Sequence, residues 1–98
     1  MLSENQKRYL RRLAHERKPV VLLGAAGASD AVIDEVDQAL RAHELVKVRI
    51  RAEDRTAREL TLQTLCRRTG GELVQRIGHV AVLYRRHPDR PRIMLPDR

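Results

Sequence analysis

Across residues 45–51 the chain alternates apolar and cationic side chains, with Val46, Val48 and Ile50 set against Lys47, Arg49 and Arg51. A period of two puts successive side chains on opposite faces of an extended strand. The segment therefore predicts a strand with one buried face and one cationic face. Such a strand needs sheet neighbours and a core against one side. The plain alternative for the cationic row is a solvated outer face of that sheet.

The flanking segments supply the neighbours. Residues 3–17 read as a helix, with Ser3 and Gln6 at capping-box spacing and Leu10, Leu13 and Ala14 forming a narrow apolar stripe. Pro19 ends it. Val20-Val21-Leu22-Leu23 is a short continuous apolar run and predicts a strand covered on both faces. Gly24-Ala25-Ala26-Gly27 follows directly, and Ser29 can cap a helix over 30–43 that buries Val32, Ile33, Val36, Ala39 and Leu40.

A third helix is expected over 56–69. Thr56 and Glu59 suit a capping box, Asp54 is a rival cap, and Ala57, Leu60, Thr64 and Leu65 face inward. Gly70 and Gly71 stop it. Residues 72–77 and 79–85 then form a hairpin about Gly78, and Ile93-Met94-Leu95-Pro96 can dock as an extended segment. The result is an α/β fold: a helix followed by βαβαββ, a four-stranded mixed sheet with helices layered on it. It is read as a single domain, residues 1–98, with 86–98 as an extended basic tail.

The chain holds no Trp and no Phe, so its core must be aliphatic. Twenty Lys and Arg against 13 Asp and Glu leave a net charge of +7. That balance attracts polyanions, nucleic acid foremost. The charge is also polarised: the second helix is acidic, while both ends and the second strand are basic. An acidic membrane surface would call for an amphipathic helix with large apolar anchors, which the sequence lacks. With no leading apolar segment and no long apolar run, neither a signal peptide nor a membrane span is expected, and the protein is placed in the cytoplasm. Cys66 stands alone among apolar residues and reads as a small core residue, not a nucleophile.

The feature that points to a site is a strand, then Gly-X-X-Gly, then a capped helix. A helix start carries unpaired N–H groups and the positive end of the dipole. Two glycines let a phosphate backbone approach the main chain closely. KH domains hold single-stranded RNA with a loop of this kind. A simple turn is the competing reading of two glycines at this spacing. The loop is neither a Walker A motif, since no Gly-Lys-Ser/Thr follows, nor a dinucleotide fingerprint. The candidate RNA-binding residues are Gly24, Ala25, Ala26 and Gly27, with Lys18, Lys47, Arg49, Arg51, Arg55 and Arg58 around them. Lys7, Arg8, Arg11 and Arg12 on the first helix offer a secondary contact surface.

No catalytic constellation is recognisable. His15, His43, His79 and His87 do not pair with one another or with Cys66 at metal-ligand spacing, and no nucleophile elbow is present. The chain is expected to be no enzyme and to need no cofactor, metal or small-molecule substrate.

Several stretches together carry a resemblance. They are Leu13-Ala14-His15, Lys18 to Gly24, Gly27, His43 to Val48, Glu53-Asp54-Arg55, Thr69-Gly70, Ile77-Gly78, Leu83-Tyr84-Arg85 and Ile93 to Pro96. The sequence resembles the CRM (chloroplast RNA splicing and ribosome maturation) domain in its stand-alone bacterial YhbY-like form. The likeness covers nearly the whole chain. It implies a fold similar to the C-terminal domain of a bacterial translation initiation factor. It also implies RNA contact through the GxxG loop, and association with ribosomal RNA in precursors of the large (50S) subunit. The chain is expected to act as a monomer. Family loops often place a polar or basic residue between the glycines, where this chain has Ala25 and Ala26. Contact strength must then come more from the flanking cations. Two other readings stay open: a protein-interaction module of ribosome assembly, and an Alba-like nucleic-acid-binding chromatin protein.

Overall fold

The computed structural model describes residues 1–18, 21–24 and 26–98. The expectations placed on Pro19, Val20 and Ala25 lie outside the described residues. The elements are α1 (Glu4–His15), β1 (Val21–Leu23), α2 (Asp30–His43), β2 (Leu45–Ile50), α3 (Arg55–Thr69), β3 (Glu72–Ile77) and β4 (Val80–Tyr84). The strands form one mixed sheet in the order β1-β2-β4-β3. β1 runs parallel to β2, and β4 is antiparallel to both of its neighbours.

Local chemistry sets the helix ends. Ser3 Oγ accepts the Gln6 N–H at 3.1 Å, and Gln6 Oε1 accepts the Ser3 N–H at 2.9 Å, closing the expected capping box. Ser29 Oγ accepts the Val32 N–H at the start of α2. At α3 the rival cap prevails. Asp54 Oδ1 accepts the Ala57 N–H at 2.8 Å, so the helix begins at Arg55 and not at Thr56. Glu59, freed from capping, pairs with Arg76 on β3. Gly70 ends α3 in the left-handed region, at φ +76°.

The sheet separates two apolar clusters. On one face α2 and α3 set Ile33, Val36, Leu40, Leu62 and Leu65 against Val21, Leu23, Val46, Val48, Ile50, Ala81 and Leu83. On the other face Leu10 and Ala14 of α1 pack on Leu45, Val74, Val82 and Tyr84, joined by Ile93 and Leu95 from the tail. β4 is apolar on both sides because it lies between these layers.

Three expectations about burial fail. The core is not purely aliphatic, since Tyr84 is buried in the α1-side cluster. β1 is not covered on both faces: Leu22 is 67% exposed, since α1 lies over the β2, β4 and β3 end of the sheet and leaves the β1 edge bare. On α3 the inward face is carried by Leu62, Leu65 and Thr69, while Leu60 is 58% exposed. Starting the helix at Arg55 does not decide this. The packing against α2 and β2 selects the 62/65/69 stripe, which the mixed pattern of α3 does not single out.

The tail is held by a buried carboxylate. Glu44 follows α2 with φ +62°, the one positive φ among described non-glycine residues, and its side chain turns inward. Glu44 Oε2 accepts the His87 N–H, and Oε1 accepts the N–H groups of Arg92 and Ile93, all at 2.8 Å. Gln6 Nε2 donates to Pro96 O at 2.9 Å, fastening the end of the same segment to α1. The 93–96 segment thus docks as expected, through Ile93, Leu95 and Pro96, although the chain bends at Ile93 and leaves Met94 exposed.

Candidate nucleic-acid interface

Three turns meet at one end of the sheet. The Gly24–Gly27 loop leaves β1, residues 51–54 leave β2, and the Gly78-His79 turn joins β3 to β4. Ladder bonds tie them together, with the Arg51 N–H donating to Leu23 O and the Ile50 N–H to His79 O. Gly24, Gly27, Arg51, Ala52, Glu53, Ala57 and Thr61 line an open hollow of about 640 Å³ there.

The two glycines play different parts. Gly27 has φ +67°, and a Cβ on it would meet Thr61 Oγ1 at 3.4 Å, so its backbone requires glycine. Gly24 has no left-handed φ, and a Cβ there would find nothing within 4 Å. Among the described residues no internal contact demands glycine at that position, and what its lack of a side chain provides is approach from outside. The loop is exposed at Gly24 and Ala26. One of its amides is spent internally, the Gly27 N–H donating to Gly24 O, and just beyond it the Ser29 N–H donates to Gly27 O, each at 3.0 Å. The loop therefore supplies an open seat more than a full row of donors.

Arg51 brings a cation into the hollow, and Arg49 and Arg51 share a second depression with Ala52 and His79. Arg58 lies half-buried beside them, its Nη1 donating to His79 Nδ1 at 2.9 Å. Arg55 is exposed at the start of α3. The cationic row of β2 leads away from this end. Arg49 is exposed and Lys47 half-buried, while Val46, Val48 and Ile50 are buried on the opposite face, as the alternation predicts.

The structure does not bring every candidate together. Lys18 precedes β1 and lies at the far end of the sheet, where it lines a separate hollow with Arg17, His43, Leu45, Lys47, Arg92 and Ile93. Along β2, the distance from Leu45 to Arg51 is roughly 20 Å at the usual rise per residue. The first-helix cations divide as well. Arg11 lines a depression with His15, Lys47, Gln75, Ile77 and Val80, Lys7 is half-buried, and Arg8 and Arg12 point to solvent. Thr61, His79, Arg17 and Arg92 were not among the sequence candidates. Each comes into place through chain reversals that no local pattern encodes.

Between the two ends lies an uncovered row of the sheet. Leu22, Arg49, Val80 and Ile77 are successive cross-strand partners, and Leu22 and Ile77 are 67% and 64% exposed. No aromatic ring faces this surface from β4, since Tyr84 is buried under α1. Burial raises the Tyr84 hydroxyl pKa, and the Glu44 charge raises it further against the opposing pull of Arg86. Among the described residues no group of three or more His, Cys, Asp or Glu could hold a metal ion, and no helix is long and apolar enough to cross a membrane. Cys66 is half-buried against the α2/α3 core, and burial raises its thiol pKa, with Glu72 adding to the effect; both disfavour a reactive thiolate.

Residues 2–85 match the family model of the CRS1 / YhbY (CRM) domain. A Haemophilus influenzae protein named "RNA-binding protein" is 42% identical over 95 residues, covering 97% of this chain and 95% of that protein. A Bacillus subtilis protein, named as a probable RNA-binding protein, is 34% identical over 96 residues, covering 98% of this chain and 100% of its own length. The solution structure of the Staphylococcus aureus protein SAV1595 superposes with a TM-score of 0.83 at 38% identity, covering 98% of this chain and 100% of that one.

Proposed function

The chain belongs to the CRS1/YhbY (CRM) domain family, and from that premise we propose that it binds RNA at the glycine-loop end of its sheet. One observation carries the reading. Gly24, Gly27 and Arg51 line a single exposed hollow at the head of the cationic row of β2, and Gly24 is a glycine with no internal reason to be one. A sugar-phosphate backbone fits that combination: close approach to the main chain, a guanidinium beside it, and further cations along the strand. The sheet offers no aromatic platform, so the contact is to backbone and shape more than to stacked bases.

The target in this reading is ribosomal RNA of the large subunit, and the role is assistance in 50S assembly, which the family resemblance supports. The protein works in the cytoplasm as a monomer and carries out no catalytic step. The names of its relatives support the RNA-binding part of this reading.

The test is crosslinking in cells followed by sequencing of the attached RNA, which should enrich one segment of large-subunit rRNA. In vitro, affinity should fall with salt at a log–log slope of about −0.7 per phosphate contact on single strands. Salt-insensitive binding, or recovery with ribosomal particles only through protein contacts that survive nuclease, would favour the protein-interaction reading instead.

A further inference from the structure

At the end of β2 remote from the glycine loop, side chains from four separate segments surround a hollow of about 340 Å³. Arg17 and Lys18 come from the α1–β1 connection, His43 from the end of α2, Lys47 from β2 and Arg92 from the tail. No acidic residue lines it.

Three of these cations are fixed in place. Lys47 Nζ donates to Arg17 O at 2.6 Å, Arg17 Nη1 to Leu45 O at 2.9 Å, and Arg92 Nη1 to Ala42 O at 3.0 Å. Each guanidinium commits one N–H in these bonds and keeps others for a ligand. The bond from Arg92 also occupies a terminal carbonyl of α2, reducing the negative end of that helix dipole. The buried carboxylate next to the hollow, Glu44, keeps its charge but directs it at three backbone amides of the tail, and Glu16 beside Arg17 is exposed to solvent. The lining of the hollow thus concentrates positive charge, with guanidinium N–H groups left over for a phosphate.

We propose that it is a second phosphate site, which takes a phosphodiester of the same RNA strand that occupies the glycine loop. The proposal rests on the RNA-binding reading above and extends it: the strand runs the length of β2, over Arg49 and the uncovered row from Leu22 to Ile77. The two seats lie at opposite ends of the cationic row, so a short oligonucleotide reaches only one of them.

The experiment measures binding of single-stranded oligoribonucleotides of about 4 and about 12 nucleotides, lengths spanning the usual site size of small single-strand binders. Lys18→Glu is the informative variant, because Lys18 is exposed and its replacement leaves the core untouched. It should weaken the longer RNA by about five- to tenfold, flatten its salt slope by about 0.7 or more, and leave the shorter RNA unchanged. Lys18→Gln should move the same way by less. Ala26→Asp, in the glycine loop, should weaken both lengths. Arg67→Glu, an exposed reversal on the last turn of α3, controls for overall charge and should change neither. Equal losses at both lengths for Lys18→Glu, or a loss for Arg67→Glu as large as that for Lys18→Glu, would overturn the second site while RNA binding stands. If the unaltered protein bound neither RNA, the functional reading itself would fall, and this inference with it.

Discussion

The carboxylate of Glu44 accepts the backbone N–H of Ile93 at 2.8 Å, across 49 residues of sequence. The same carboxylate takes the amides of Arg92 and His87, so one buried side chain fixes the path of the whole C-terminal segment. That segment in turn lays Ile93 and Leu95 over the α1 cluster and positions Arg92 at the second hollow.

Replacing Glu44 should therefore loosen the tail before it unfolds the sheet. Glu44→Ala leaves three amides without their acceptor. The cost should be about 1–3 kcal/mol or somewhat more, from the price of orphaned donors. Urea melts would measure it, and faster amide exchange or proteolysis confined to residues 87–96 would identify the released part.

Acid should act through the same group. Burial raises the Glu44 pKa, but the amides of His87, Ile93 and Arg92 and the charge of His87 outweigh it, leaving the pKa below its ordinary value. A carboxyl depressed in the folded state contributes stability that is fully present above its unfolded pKa, about 4.3. That contribution is lost as pH falls through the lower folded value. Stability should accordingly drop on acidification below that point, and Glu44→Gln should show a shallower acid limb than the unaltered protein. Parallel limbs in thermal melts across this range would remove Glu44 from the account.

The two loop glycines should respond differently to alanine. Gly27→Ala places a Cβ in left-handed backbone against Thr61 and should destabilise by about 1–2 kcal/mol. Gly24→Ala meets no neighbour and should leave stability within about 0.5 kcal/mol. It should nevertheless weaken RNA binding, because the methyl enters the hollow. Melting curves paired with RNA titrations separate the two effects. A Gly24→Ala protein with normal affinity would show that close approach at this point is not needed.

Arg85 joins the start of the tail to two helices. Its Nη1 donates to Asp37 Oδ1 and to Thr69 O, both at 2.6 Å, and its Nη2 to Asp37 O at 3.2 Å. A lysine cannot reproduce that fork. Arg85→Lys should cost about 1.5–3 kcal/mol, the range for hydrogen bonds to charged groups, by chemical denaturation.

The parts of this fold that were legible in sequence are those where a local rule coincides with the tertiary requirement. The alternation at Val46 to Arg51 fixes both the strand and its orientation, and Ser3 with Gln6 marks a helix start that needs nothing else. α3 was harder. Leu60 and Leu62 are comparable candidates in a helix with a weak apolar stripe, and only contact with α2 and β2 chooses Leu62. Leu62→Ala should cost about 2–5 kcal/mol and Leu60→Ala under about 1 kcal/mol, which denaturant melts would resolve. Leu22 misled for a related reason: a continuous apolar run indicates two covered faces, but the extent of α1 was not written in it. The candidate site was half legible. The loop and Arg51 do meet, whereas the placement of Lys18 at the far end, and the arrival of Arg17, Arg92 and His79, depend on how distant turns stack.

Those turns carry a consequence of their own. The glycine-lined hollow draws on residues 24–27 and 51–61, so it exists only once the segments after β1 and β2 and the start of α3 have come together. A ligand seated there touches only the finished domain. By mass action, bound RNA should stabilise the folded state by about 2.7 kcal/mol at a hundredfold excess over its dissociation constant, and the midpoint of global unfolding should rise accordingly. A chain this small, whose interior holds a single aromatic ring among the described residues, Tyr84, would then be sturdiest while it is at work.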